Sequence, residues 1–321
     1  EDKSKVFGEV DPELMVSYAG FVNGEDKDDL SGTLSISRAV GEVVSTYAIT
    51  ASGLTSTNYA ITYASGTFTI TSKSITDTDI TVGSIADLVY TGLGQTPSPV
   101  VKDGATILVE DTDYELSYEA NTNVGEATVT VTGKGSYTGT RVVTFDIIPA
   151  ALTITSEDKS KVFGEVDPEL TVSYAGFVNS EDQDDLTGTL SISRAVGEVV
   201  STYAITASGL TSTNYDITYT PGTFTITSRL ITQSAITVSP ITDLVYNGTA
   251  QTPSPEVKDG ATNLVEDTDY ELSYEANTNV GEATVTVTGI GNYNGKRTVT
   301  FNILKKALTI SGLIADDKEY D

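Results

Sequence analysis

Carboxylates are the side chains of this sequence most able to do chemistry: 45 Asp and Glu stand against 18 Lys and Arg in 321 residues. They gather in clusters. Glu25, Asp26, Asp28 and Asp29 recur as Glu181, Asp182, Asp184 and Asp185. Closely spaced hard oxygens suit Ca²⁺, which takes roughly six to eight of them. The candidate metal ligands are therefore Asp26, Asp28, Asp29, Asp182, Asp184 and Asp185. The EF-hand spacing, with its central Gly and distal Glu, is not present, and a solvated turn explains the same residues. Glu110, Asp111 and Asp113, repeated as Glu266, Asp267 and Asp269, precede a strand pattern. Turn capping by Asp is the plain account of them. Asp77 and Asp79 could clip two domains through a cation, but the second copy carries Gln233 and Ala235 there.

Other chemistries are excluded by composition. The chain has no His and no Cys. Zinc sites, Ser-His-Asp triads and Cys-His dyads are thereby ruled out, and disulfides with them. Cysteine count leaves the compartment open, since many exported bacterial repeats lack disulfides. A glycosidase needs two carboxyls in a cleft, but so acidic a chain yields chance pairs. Tyr137 and Tyr293, in Gly-rich turns, have faces that suit a sugar; packing across a hairpin is the competing use. No spacing identifies a Lys–Asn crosslink. No catalytic residue and no cofactor other than calcium is expected.

The formal charge is −27. Such a field opposes nucleic acid and anionic membranes. It favours solubility and divalent cations. No run of about 18 apolar residues is long enough to span a bilayer, and no signal peptide is visible. Glu1 begins inside a repeat, so the sequence reads as a fragment.

That repeat decides the organisation. EDKSKVFGEVDPEL at Glu1–Leu14 returns at Glu157–Leu170, a period of 156, and the register holds without a gap through the second copy. Each copy divides again at TITSKSIT (from Thr69) and TITSRLIT (from Thr225), and FDIIPAALTITSEDKS (from Phe145) joins the copies. The expected domains are 1–72, 73–150, 151–228 and 229–306, with 307–321 as the first strand of another module. The joints are short, with Pro149 at the centre and Lys305 at its equivalent. Short joints favour an extended rod over a compact packing.

Period-2 alternation predicts strands. Tyr114, Leu116 and Tyr118 alternate with polar residues, as do Ala127, Val129 and Val131, and then Val143, Phe145 and Ile147. Leu14, Val16 and Tyr18, then Tyr47 and Ile49, then Tyr59, Ile61 and Tyr63, then Phe68 and Ile70, do the same in the preceding module. Short strands at such spacing suggest an all-β sandwich or meander. No amphipathic helix longer than a turn is found.

The segment from Lys161 resembles the MBG repeat, a mostly bacterial immunoglobulin-like module. Phe163-Gly164, Asp167-Pro168, Val178-Asn179, Val196-Gly197 before Thr202-Tyr203, Asn214-Tyr215 and Gly222-Thr223-Phe224 carry the likeness. Lys5–Thr71 matches equally well, with Phe7 and Phe163 where Tyr is usual. The intervening module resembles a second bacterial immunoglobulin-like repeat, through Tyr90-Thr91-Gly92, Gln95-Thr96-Pro97, Val101-Lys102-Asp103-Gly104, Asn123-Val124-Gly125 and Tyr137-Thr138-Gly139. The terminal ALTISGLIADDKEYD looks like the start of a related module cut at Tyr320-Asp321.

The resemblance implies a non-catalytic stalk of a bacterial cell-surface adhesin, extracellular, projecting a binding domain. Its partners would be the neighbouring modules of the same chain, with host or surface glycans and proteins met through other domains. The alternative is a module that binds glycan or protein directly. Exposed edges at the two ends suggest that molecules join head to tail.

Overall fold

The computed structural model describes residues 1–312, 314 and 318. The chain is all-β: among the described residues the only helical pieces are two 3₁₀ turns, Lys27–Asp29 and Gln183–Asp185. No helix among them is long and apolar enough to cross a membrane. The described chain divides into two compact units. The first comprises 1–151, 176–185 and 212–216; the second comprises 152–175, 186–211 and 217–321.

The first unit opens with β1 (Lys3–Val6), β2 (Ser31–Arg38), β3 (Ser45–Thr55) and β4 (Gly66–Thr71), in the sheet order β1-β4-β3-β2. β1 joins β4 in parallel, Lys5 opposite Ile70. The β2–β3 pair shifts register between Gly32 and Ser35. There Gly53 lies so close that a Cβ on it would stand 2.2 Å from the Thr33 carbonyl oxygen, and its φ is +93°. Only Gly fits a bulge of that kind.

The rest of this unit uses nine short strands: β5 (Lys73–Ser74), β6 (Ile80–Val82), β7 (Leu88–Val89), β8 (Val101–Asp103), β9 (Thr106–Ile107), β10 (Tyr114–Glu119), β11 (Gly125–Gly133), β12 (Tyr137–Thr138) and β13 (Thr140–Ile148). They form the sheets β10-β11-β13-β7, β6-β8-β9 and β12-β5. The alternation read from the sequence lands inward: Ala127, Val129, Val131, Phe145 and Ile147 are buried. Ile75, Ile80, Val101, Leu108, Tyr114, Val131 and Tyr137 make one core and Ile49, Phe68 and Ile70 another; Phe7 packs on both.

The second unit contains the twins. β14 (Ala150–Ser156) runs between β16 (Val172–Ala175) and β19 (Tyr215–Thr220). β15 (Lys159–Val162), β17 (Thr187–Arg194), β18 (Ser201–Thr211) and β20 (Gly222–Thr227) repeat the first sheet as β15-β20-β18-β17. β21 to β29 follow at Arg229–Leu230, Ile236–Val238, Leu244–Val245, Val257–Asp259, Thr262–Asn263, Tyr270–Glu275, Gly281–Gly289, Tyr293–Asn294 and Lys296–Leu304. Their sheets are β23-β29-β27-β26, β22-β24-β25 and β21-β28. Phe163 bridges two cores here as Phe7 does in the first unit.

Two expected strands are missing from the first copy. Val16–Tyr18 and Tyr59–Tyr63 lie outside any ladder, whereas their twins lie in β16 and β19. The sequence is nearly the same, so the cause is tertiary. β14 supplies ladder partners in the second copy, and no described strand stands beside the first-copy segments. The expected strand at 307–321 needs the same correction over its described part. Ala307–Ser311 forms no strand, and Leu308 and Ile310 are 88% and 79% exposed. A lone strand without a neighbour leaves its backbone groups to water. Tyr320-Asp321 lies outside the described residues.

Candidate functional site

The acidic turn at Glu25–Asp29 is built around its own backbone. Asp26 caps the 3₁₀ turn: its carboxylate accepts the Asp28 N–H at 2.8 Å, and Asp29 in return accepts the Asp26 N–H at 2.8 Å. This reciprocal capping box satisfies two orphan donors. Asp28 pairs with Lys27 at 2.6 Å. In the twin turn Asp182 accepts from Asp184 and Asp185 accepts from Asp182 in the same manner. Among the described residues no three Asp or Glu side chains converge as metal ligands. Glu110 and Glu266 accept from Ser98 and Ser254, while Asp113 and Asp269 accept the N–H of Val109 and Val265. Asp77 accepts the Asp79 N–H, and Asp79 lies 3.6 Å from Lys73.

Tyr137 and Tyr293 do not offer a face to sugar. They are 7% and 5% exposed, and each meets a phenylalanine edge-on: Phe7 at 5.6 Å and Phe163 at 5.5 Å between centroids. Burial pushes both phenols up to about 12.

Sequence reasoning missed a four-charge cluster. Lys5, buried on β1, reaches Asp11 at 2.7 Å and Glu42 at 2.5 Å. Arg38, at the end of β2, binds Asp11 at 2.5 Å and also Glu42, and donates to the Gly41 carbonyl at 2.7 Å. Its guanidinium covers the Phe68 ring at 4.8 Å, a cation–π contact. Lys161, Asp167, Arg194 and Glu198 rebuild the cluster over Phe224 in the second copy. Hydrogen bonds from Arg38 and Lys5 hold the Asp11 carboxyl down to about 2, and bonds from Lys5 and Arg38 lower Glu42 as well. A general acid needs the opposite shift. The cluster instead ties two loops to the sheet. Arg38 and Glu42 stand only four residues apart, but the pairs that close the cluster, Arg38–Asp11 and Lys5–Glu42, span 27 and 37 residues, so no local spacing marks the whole.

A third feature lies within the first unit, where residues 90–124 meet residues 176–185 and 212–216. Tyr90 donates to Glu181 at 2.5 Å, and Tyr215 donates to the same carboxylate. The Tyr90 and Tyr215 rings meet edge-on at 5.6 Å. The Glu181 hydrogen bond and then burial push Tyr90 up to about 12. Asn179 donates to the Gly92 carbonyl at 3.1 Å; the Val124 and Ala150 N–H groups donate to Asn214 at 3.1 and 3.0 Å. A Cβ on Gly92 would stand 2.6 Å from the Asn179 Cβ. This is a polar, closely fitted joint within the first unit.

The last feature is an open groove of about 550 Å³ beside Val16–Phe21 and Tyr59–Gly66, floored by Leu30 and Leu34. Tyr18 and Tyr63 on its rims are each 38% exposed. It holds no convergent acid–base pair.

The family model for the MBG domain (YGX type) matches residues 1–69 and 152–225. No curated protein sequence matches the chain. Among solved structures, the chain is similar to Sidekick-1 immunoglobulin domains 1-5, at 10% identity over 82% of this chain and 66% of that one, with a TM-score of 0.26. It is similar to PcdhgB3 EC1-4, at 12% identity over 88% of this chain and 86% of that one, with a TM-score of 0.19. Protocadherin gammaB7 EC3-6, in its cis-dimer structure, shares 10% identity over 87% and 94% of the two chains, with a TM-score of 0.20. Two regions of this all-β chain, residues 1–69 and 152–225, thus match the MBG domain of the YGX type.

Proposed function

We propose that this chain is a non-catalytic spacer in the stalk of a bacterial cell-surface adhesin, holding a binding domain away from the envelope. The observation that carries the reading is the fitted joint of Tyr90, Glu181, Tyr215 and Asn214. A string of freely jointed modules has no use for such contacts, whereas a spacer that transmits reach depends on them. The MBG domains, typical of repeat-type extracellular proteins, and the strong negative charge fit an exported, soluble array.

Small-angle scattering on the whole chain tests the proposal. With strands rising about 3.3 Å per residue, four modules in line exceed roughly 100 Å. A largest dimension of that order supports the spacer, and a globular profile overturns it.

A further inference from the structure

Strands from the beginning and the end of a segment lie side by side in this chain, and they run parallel. In 3–71, β1 pairs with β4, Lys3 opposite Phe68 and Val6 opposite Thr71. In 73–148, β5 pairs with β12 and β7 with β13. The second copy repeats the plan, with β15 parallel to β20, β21 to β28 and β23 to β29. On their other sides β4 and β13 have antiparallel neighbours, β3 and β11.

Direction matters under tension. The chain enters β1 at one end of the ladder and leaves β4 at the other, because the two strands run the same way. A pull on the flanking chain therefore drags β1 and β4 past each other along their length. The ladder bonds, evenly spaced in a parallel pair, then share the load and must fail together. In an antiparallel pair of first and last strands, both flanking chains would leave from one end of the ladder. The bonds would then open one after another.

Further bonds hold the β1–β4 ladder against sliding. The Asp2 carboxylate accepts the Thr67 N–H at 2.7 Å, and the Phe7 N–H donates to the Thr71 carbonyl at 2.8 Å. The Thr71 hydroxyl donates to the Lys5 carbonyl at 3.3 Å, and the Lys5 ammonium is held between Asp11 and Glu42. Asp158 with Thr223, Phe163 with Thr227, and Lys161 with Asp167 and Glu198 repeat the arrangement around β15 and β20. The short ladders are reinforced too: the Lys73 and Ile75 N–H groups donate to the Ser136 and Thr138 carbonyls at 3.0 and 2.7 Å, and that of Tyr90 to Ile148 at 2.9 Å. A single residue, Ser72, separates β4 from β5, and Ser228 separates β20 from β21. Tension leaving one ladder thus enters the next without slack.

We infer that these parallel ladders are mechanical clamps in series, which keep the segments folded when the chain is pulled lengthwise. Bearing load is a demand beyond reach. The inference does not rest on the spacer reading, because a chain of globular dimensions would leave the direction of its ladders unchanged.

Single-molecule pulling tests it, and a chain without Cys lets introduced thiols set the points of attachment. Handles on Glu1→Cys and Ser72→Cys load the β1–β4 ladder lengthwise. Handles on Glu1→Cys and Ser65→Cys pull both strands from the same end and open it bond by bond. At equal pulling speed the lengthwise pair is expected to unfold at a clearly higher force. Forced unfolding follows the unfolding barrier rather than equilibrium stability, so the same fold can differ between the two geometries. Glu1 and Ser65 are exposed, and Ser72→Cys exchanges one oxygen for sulfur, so both double variants should melt as the unaltered chain does. Handles on Glu1→Cys and Lys305→Cys, both exposed, load the whole chain, and its unfolding events should match the lengthwise force. Equal forces in the two short geometries overturn the inference. So do whole-chain events at the bond-by-bond force.

Discussion

The ring of Phe7 meets the ring of Tyr137 edge-on, with centroids 5.6 Å apart and planes at 78°. Phe7 lies in the segment 1–69 that matches the MBG domain model and Tyr137 lies beyond it, and Phe7 touches two separate cores. Small β modules bury too little surface to be robust alone, so this plug couples two marginal cores. Phe7→Ala is expected to cost about 2 kcal/mol, from lost apolar burial and the aromatic contact. In calorimetry the first unit's transition should fall and broaden as its two cores uncouple. An unchanged, single transition would show that the contact carries no coupling.

The charge cluster predicts an acid limb. Asp11 titrates near 2 in the fold against an ordinary value of 3.8, and Asp167 does the same. A lowered carboxyl contributes stability that is fully present above its unfolded value and disappears as pH falls through the folded one. Glu42 and Glu198, also lowered, act in the same direction. The melting temperature should therefore hold down to about pH 4 and then drop steeply toward pH 2. Asp11→Asn with Asp167→Asn should lower stability at neutral pH and flatten that limb. A parallel profile in the double variant would place the acid sensitivity elsewhere.

Alkali acts through the tyrosines. Tyr90, Tyr137 and Tyr293 are pushed from 10 up to about 12, Tyr90 by Glu181 and the other two by burial. The fold holds their protons after the unfolded chain has begun to release them. Their stabilisation is complete below pH 10 and is lost as pH rises toward 12. Tyrosinate absorbance should rise in two steps, exposed phenols first and the buried, raised ones, these three among them, together with unfolding. Tyr90→Phe should remove one residue from the late step; an amplitude equal to wild type would contradict this account.

How much of this was legible in the sequence follows from the range of each interaction. The meander of β10, β11 and β13 pairs neighbours in sequence, and the alternation from Tyr114 to Ile147 was enough to place it. β1 pairs with β4 across more than 60 residues, Lys3 opposite Phe68, and nothing local marks that partnership. The period of 156 exposed the duplication at once. Yet the two copies differ where the sequence does not: Val16–Tyr18 lies outside any ladder and Val172–Tyr174 forms a strand, because β14 lies alongside only the latter. Of the acidic clusters, spacing alone suggested a cation, while the fold spends Asp26 and Asp29 on backbone N–H groups. Tyr137, read as a surface ring, proved to be the seat of Phe7.

The capping box gives a prediction about cations. Asp26→Ala should cost about 1 kcal/mol through lost capping, and Asp182→Ala the same. A chelator should leave the melting temperature within error, because the carboxylates that would hold calcium already serve the turn. A rise of several degrees on adding millimolar calcium, lost in Asp26→Ala, would restore the cation site and retire this reading.

Gly92 and Gly248 form an internal control for the joint. Both hold left-handed backbone, at φ +73° and +86°, so Ala strains each by about 1 kcal/mol. Only at Gly92 would the new methyl strike Asn179 and displace its bond to the Gly92 carbonyl. Gly92→Ala should therefore lower the melting temperature clearly more than Gly248→Ala. The difference isolates what the fitted surface contributes, since local strain cancels between the two variants. Equal losses would mean that the joint adds nothing to stability, and the stiffness attributed to it would have to come from the strands alone.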